Sequence, residues 1–195
     1  MLEGNVELEG KRVRLIPMSL DHLEGLFEAS KHSEIWTYSP GNVNQPEDML
    51  NTINHALESK EQGLRYPFVI LDKDTNKIVG STSYIEISPQ HRKLEIGGTW
   101  LDPKVWRTRV NTECKYLVLR YGFEELELVR IQLRTDSRNE RSNRGIQRIG
   151  ARFEGTLRQE LINHDGYVRD SNVYSILDKE WEGVKVRLLD YLSQE

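Results

Sequence analysis

The spacing of apolar residues changes character several times along the chain, and each change predicts an element. Val13-Arg-Leu-Ile16 alternates apolar and polar and predicts a short first strand that stops at Pro17. Behind it, Ser19 caps a helix with Leu20, Leu23, Leu26 and Phe27 at helical spacing. The pattern fails around Trp36-Thr-Tyr38, and the breakers from Ser39 to Pro46 predict a loop. A second helix runs from Glu47 to about Glu61 and closes at Gly63. From Pro67 the period becomes two. Strands are predicted over Pro67–Leu71, Ile78–Ile87 and Lys93–Leu101, joined by a hairpin loop at Asp72–Lys77 and a turn at Ser88–His91.

The helical period returns from about Asn111 to Leu126, with Val110, Cys114, Leu117, Val118, Tyr121 and Leu126 as its apolar stripe. Val129–Thr135 is a strand whose apolar positions alternate with arginines, and a helix over Glu140–Ile149 closes at Gly150. Strands Phe153–Ile162 and Tyr167–Leu177 flank the turn Asn163-His-Asp-Gly166. A final helix carries Trp181, Val184, Val186 and Leu188. The order β-α-α-β-β-β-α-β-α-β-β, with no repeat or linker, predicts one α/β (α+β) domain over residues 1–195. Its sheet is mixed and mostly antiparallel, with helices packed against it.

Composition narrows the class of function. Hydrophobic residues at 37% against 30% charged, with a mean hydropathy of -0.63, describe a water-soluble fold. A net charge of -4 and a pI near 5.8 argue against nucleic acid held by gross charge attraction. No apolar run approaches the roughly 20 residues needed to cross a bilayer, and Met1–Glu7 has neither the basic nor the apolar region of a secretory signal. A lone cysteine, Cys114, on the apolar side of a helix suits a reducing compartment, so a cytoplasmic location is expected. The five histidines have no metal-ligand spacing with each other or with Cys114, so no metal is expected.

Chemistry concentrates in two stretches, Glu95–Glu113 and Thr135–Ser142. Each reads as a strand that breaks into a turn and then a helix, and a helix start offers free N–H donors and partial positive charge to an anion. In the first, Lys104, Arg107, Thr108 and Arg109 form a basic turn ahead of the amides of Val110, Asn111 and Thr112. In the second, Asn139 is placed as a helix cap accepting from the amide of Ser142. Glu95 alternates with Leu94 and Ile96 and so faces the other side of its strand, as a proton acceptor or as a solvated surface glutamate. Ile96 and Gly97 would present backbone N–H groups beside it.

Together these stretches resemble the cofactor half of the GNAT acetyltransferases, specifically the RimJ/RimL type, and the resemblance extends from Leu8 to about Leu189. It implies the GNAT fold, with strands splayed to admit the pantetheine arm of acetyl-CoA, and transfer of the acetyl group to a primary amine by direct attack. The family pattern in the basic turn is Gln or Arg, two residues, Gly, one residue, then Gly or Ala. This chain departs from it: Lys104 fills the first slot and Arg107 and Arg109 replace the small residues, forfeiting positive φ while offering cationic forks.

By the same resemblance Asn139 bonds the pantetheine arm and Ser142 lies near the sulfur as general acid. The tyrosine that many GNAT enzymes use one turn further on is Ile146 here. Glu160 lies on a strand where RimL-like proteins carry an acidic residue, which makes it a second candidate base. Trp36 and Tyr38 fall in a loop that helps wall the acceptor pocket, and equally suit a core aromatic anchor. Arg141 and Arg144 are candidates for the 3′-phosphate of CoA. Three functions stay open on the sequence: acetylation of a small-molecule amine or protein N-terminus, a CoA-binding or regulatory module impaired by Arg107 and Arg109, and a transferase of longer acyl groups. Assembly as a homodimer is equally open.

Overall fold

Eight strands hydrogen-bond side by side in the order β1-β2-β3-β4-β5-β6-β8-β7. The computed structural model describes residues 2 and 4–194. The strands are β1 (Leu8–Glu9), β2 (Val13–Pro17), β3 (Arg65–Asp72), β4 (Lys77–Ser88), β5 (Lys93–Leu101), β6 (Arg130–Asp136), β7 (Arg152–Ile162) and β8 (Val168–Leu177). All neighbours pair antiparallel except β5 with β6. The helices are α1 (Leu23–Ser30), α2 (Pro46–Glu61), α3 (Arg109–Arg120), α4 (Glu140–Arg148) and α5 (Trp181–Ser193).

Period-two alternation sorts the strands' side chains onto two faces, and each face is covered by different helices. On one face Tyr66, Phe68, Tyr84, Leu94, Ile96, Ile131 and Tyr174 pack with Val110, Cys114 and Leu117 of α3 and with Trp181, Val184 and Leu188 of α5. On the other, Val69 joins Met18, Leu26, Trp36, Met49 and Ile53 under α1 and α2. That second cover stops short of the β6–β8–β7 end of the sheet. There the second face carries polar side chains instead: Gln132, Arg134, Ser171 and Ser175.

The predicted elements stand with small changes. Ser19 caps a short turn of 3-10 helix leading into α1, with its own amide donating to His22 Nδ1 at 3.0 Å. Gly63 and Gly150 close α2 and α4 at φ 71 and 104. The long helix expected to Leu126 ends as α-helix at Arg120 and continues as one wider turn over Tyr121–Glu125. Of the four apolar residues named on the last helix, Val186 is 66% exposed, whereas Trp181, Val184 and Leu188 are buried. The two-residue strand β1 was too short to register in the pattern. No helix among the described residues is long and apolar enough to cross a membrane.

Candidate active site

The parallel pair β5–β6 holds together for only three residues: Lys93 opposite Arg130, Leu94 opposite Ile131 and Glu95 opposite Gln132. β5 then continues to Leu101 and β6 to Asp136 without pairing to each other. From Ile96 onward the facing edges therefore present unpaired N–H and C=O groups to a wedge-shaped cleft, the arrangement that accepts an extended amide chain as a further strand partner. The register between β4 and β5 slips at the head of this cleft, between Ser81 and Ser83, and Gly98 turns to φ 58. The slip is a bulge that frees backbone groups of β5 beside Ile96 and Gly97.

Glu95 stands at the apex of the split. Leu94 and Ile96 are buried in the core, so alternation turns Glu95 to the opposite face, as expected. It is not a surface glutamate: only 4% of it is exposed. Its Oε2 accepts from Gln132 Nε2 at 2.8 Å and pairs with Arg134 Nε at 2.6 Å. Burial raises its pKa, opposed by the Gln132 hydrogen bond and the Arg134 charge. The other oxygen faces the bulge, since a Cβ placed on Gly97 would lie 3.3 Å from Oε1. Glu160 meets the same guanidinium, bonding Arg134 Nη1, while its Oε2 is buried without a partner. Gln159 at φ 51 and a register slip between Leu157 and Leu161 turn Glu160 inward. Glu86 binds Arg134 as well. The two alternative bases are thus ligands of one arginine, which the sequence announced only as one of the alternating arginines of its strand.

Beyond Leu101, Asp102 accepts from the amide of Lys104 at 2.9 Å and a short turn over Pro103–Val105 leads to Arg107. Arg107 adopts φ 60, the left-handed conformation for which glycine is favoured. The expectation that arginine forfeits this turn is therefore corrected at Arg107: the backbone turns, at a strain of about 1–2 kcal/mol. Thr108 caps α3, with its hydroxyl donating to Val105 O at 2.8 Å and receiving the Val110 amide at 3.3 Å. Of the first-turn amides, that of Val110 is therefore taken by its cap, and those of Arg109 and Asn111 have no partner among the described residues. That of Thr112 is the first bonded within the helix, and its hydroxyl takes a 2.6 Å bond from Arg148, so Thr112 leaves the anion-binding set. The Arg109 side chain leaves it too, because its guanidinium donates to the carbonyl of Leu192 at the end of α5.

Lys104 and Arg107 are exposed. Across the cleft mouth, Arg141 stacks its guanidinium 3.4 Å over the ring of Trp106. Burial lowers its pKa, Glu34 and Tyr38 raise it, and the nearby charge of Arg107 lowers it further. Two mutually repelling cations at the mouth, beside free amides of a helix start, suit a polyanion such as a pyrophosphate. Arg144 is exposed and, among the described residues, bridges only to Glu140 at 3.6 Å.

Asn139 caps α4 as predicted, accepting from Ser142 N at 3.0 Å. The hydroxyl of half-buried Ser142 has no hydrogen-bond partner among the described residues. Asn143, which sequence reasoning passed over, accepts from Tyr174 OH at 2.7 Å and Asn172 Nδ2 at 2.9 Å and so pins α4 to β8. A cavity of about 390 Å³ lies between the loop that carries Tyr38 and the start of α4, walled by Glu34, Thr37 and Tyr38 opposite Arg138, Asn139 and Arg141. Trp36 takes no part in that wall. It is buried, donates to Ser30 O at 3.0 Å and packs 5.6 Å from Trp100, which makes it the anchor of the loop. Cys114 is fully buried, and burial pushes its thiol up to about 11, so it is no nucleophile.

Comparison with known proteins agrees with this geometry. The family described as "Acetyltransferase (GNAT) domain" matches residues 12–152. The chain is 31% identical over 174 residues to the uncharacterized N-acetyltransferase YoaA of Bacillus subtilis (strain 168), covering 87% of this chain and 96% of that one. It is 34% identical over 108 residues to YdaF of the same strain, provisionally described as a ribosomal N-acetyltransferase, covering 55% and 58%. The crystal structure of a GCN5-related N-acetyltransferase from Brucella melitensis superposes with a TM-score of 0.90 at 28% identity, covering 97% of this chain and 86% of that one.

Proposed function

This chain belongs to the GNAT acetyltransferase family, and from that premise we propose that it acetylates a primary amine by direct attack, with Glu95 as the base. The family implies acetyl-CoA as cosubstrate, which would supply an acetyl thioester at the head of the β5–β6 cleft. The residues present fit such a group: two unpaired strand edges for the pantetheine amides, and the first turn of α3 with Arg107 and Arg141 for the phosphates. The observation that carries the reading is the position of Glu95, a buried carboxylate at the apex of the split with one oxygen held and the other facing the bulge.

Each step then falls to a named group. Oε1 of Glu95 accepts the proton of the incoming ammonium, so that the nitrogen attacks as a neutral amine. Its raised pKa makes it the better acceptor near neutrality. Backbone N–H groups at the Ile96–Gly98 bulge meet the negative charge that develops on the carbonyl oxygen, a role worth most when the donors are fixed beforehand. Ser142 Oγ, uncommitted to any other bond among the described residues, would hydrogen-bond the departing sulfur and relay to it the second proton that the attacking nitrogen sheds, which restores the hydroxyl, and Asn139 holds the turn that places it. Glu160, on the same arginine, is the reserve proton acceptor. Burial of Cys114 with a raised pKa supports transfer without an acyl-enzyme.

The acceptor is a small-molecule amine or a protein N-terminus. The RimJ/RimL subtype rests on the partial likeness to YdaF and on a ribosomal-protein-S5-alanine acetyltransferase from Vibrio fischeri, which shares the fold at 20% identity. The test is calorimetric titration with CoA and acetyl-CoA, followed by release of CoA thiol from a panel of amines. Micromolar binding and turnover are expected. Silent calorimetry with both ligands would instead favour the impaired, regulatory module.

A further inference from the structure

Arg65 opens β3 and faces the same side of the sheet as Glu95. Cross-strand pairing puts Arg65, Ile85 and Glu95 in one row, two strand spacings or about 10 Å from end to end. Its Nε donates to Ser83 Oγ at 2.9 Å, which aims the guanidinium at the bulge of β5. A Cβ placed on Gly98 would lie 3.1 Å from Arg65 Nη2, just as one on Gly97 would lie 3.3 Å from Glu95 Oε1. A cation and a carboxylate therefore flank two adjacent glycines at the point where the chemistry is proposed.

The two ends are not equally served. Arg134, at the carboxylate end, is ringed by Glu86, Glu95 and Glu160. Arg65 has no carboxylate within ion-pairing distance among the described residues, and its only hydrogen bond is to the neutral Ser83 hydroxyl. Burial alone lowers its pKa, and no neighbouring negative charge acts to raise it. A half-buried guanidinium without a counter-ion has lost part of its hydration for one hydrogen bond to a neutral hydroxyl, a cost that a bound anion reverses. Its Nη atoms remain reachable, so the planar fork is free to receive a carboxylate through two parallel bonds.

We propose that Arg65 is the anion subsite of the acceptor pocket, and that the acceptor is a small amine carrying a carboxylate a few bonds from its nitrogen, of the amino-acid class. The inference rests on the acetyltransferase reading with Glu95 at the amine end. The nitrogen sits toward Glu95 Oε1 and the carboxylate on the Arg65 fork, and the stem between them passes over the side chain of Ile85, which stands between the two in the same row. That side chain already covers Gly97, where a Cβ would fall 2.4 Å from Ile85 Cδ1, and a Cβ on Gly98 would crowd the Arg65 fork. The same chemistry can come from a peptide whose amino-terminal residues include aspartate, so the test separates the two sources.

The experiment compares L-amino acids with their carboxamides, and short peptides with Asp or Asn at the second position, as acceptors for native protein, Arg65→Gln and Arg65→Lys. Acetyl-CoA affinity is measured in parallel. Native protein is expected to favour the free acid over the carboxamide by about tenfold or more in kcat/KM. Arg65→Gln should erase that preference, and Arg65→Lys, which keeps the charge, should retain part of it. An Asp-over-Asn preference in peptides that exceeds the acid-over-amide preference would overturn the small-molecule class. If acetyl-CoA binds but acid and amide forms behave alike, if no amine in the set is turned over, or if the preference survives in Arg65→Gln, the subsite proposal falls alone. If acetyl-CoA does not bind at all, the parent reading falls with it. Unchanged melting and acetyl-CoA affinity in both variants exclude misfolding as the cause.

Discussion

Arg134 Nε lies 2.6 Å from Oε2 of Glu95, and the same guanidinium reaches Glu86 and Glu160, so one arginine on β6 gathers carboxylates from β4, β5 and β7. One positive charge thus faces three negative ones. The buried member, Glu95, responds with a raised pKa, and the arginine limits that rise.

A pH profile follows from this pairing. Glu95 acts as base only when ionised, so kcat/KM should fall as pH drops through its pKa, with a limb above the ordinary carboxylate value of 4.5. Arg134→Gln removes the charge that holds the carboxylate ionised and should move the limb to higher pH, whereas Arg134→Lys should move it less. Glu95→Gln should abolish the limb and cost about 10²- to 10⁴-fold in kcat/KM. A limb that persists in Glu95→Gln and disappears in Glu160→Gln would transfer the role to Glu160.

At the cleft mouth, charge and backbone strain pull in opposite directions at Arg107. With φ at 60, this position is strained for any residue with a Cβ. Arg107→Gly should therefore raise stability by about 1 kcal/mol, a gain of about 2–4 °C in Tm for a chain of this size. The turn is already made, so glycine adds no geometry, and loss of the cation should weaken CoA binding. Native affinity should fall as salt rises, and that of the variant should fall less. Tighter CoA binding by Arg107→Gly would show that strain at this turn, not charge, limits the site.

These two sites show where legibility in the sequence ended. Alternation fixed the limits of β5 at Lys93 and Leu101 and turned Glu95 away from the core, because both are properties of a single strand. The β5–β6 split came from family resemblance. A parallel pair is joined by a long crossover, and no local pattern reports where pairing stops. The Arg134 cluster joins residues 39 to 48 apart in one direction and 26 in the other, so spacing along the chain carried no sign of it. At Arg107 residue type misled, because arginine took a glycine's conformation; at Trp36 the structure has the core anchor, one of the two readings that the sequence left open.

Ser142 and Asn139 are separable by what each is predicted to change. The Ser142 hydroxyl makes no bond that holds the fold together among the described residues, so Ser142→Ala should leave melting unaltered and lower kcat more than it weakens acetyl-CoA binding. Asn139→Ala removes the side-chain acceptor of the Ser142 amide, with an expected loss of about 1 kcal/mol in stability and weaker cofactor binding. Unchanged turnover in Ser142→Ala on an established acceptor would reduce that serine to a first-turn residue and leave the thiolate to solvent or to a backbone donor.

The carboxylate of Glu113 tests the scaffold independently of the chemistry. From the first turns of α3 it reaches back to the β1–β2 hairpin and accepts from the amides of Lys11, Arg12 and Val13 at 2.7, 3.0 and 2.8 Å. The approach is so close that a Cβ on Gly10 would fall 2.5 Å from its Oε1. Glu113 is only 5% exposed, and truncation to alanine leaves the buried Val13 amide without a partner, while the part-buried amides of Lys11 and Arg12 can turn to water. Glu113→Ala should cost about 1–3 kcal/mol, the penalty of one unpaired buried group. Glu113→Gln keeps one acceptor oxygen and should cost less. Because the same helix offers its start to the phosphates, loosening its tie to β2 should also weaken CoA binding, and by more in the alanine than in the glutamine variant. A Glu113→Ala protein that melts with native Tm would show that water replaces the carboxylate at that turn, and would remove the hairpin from the list of elements that fix the position of α3.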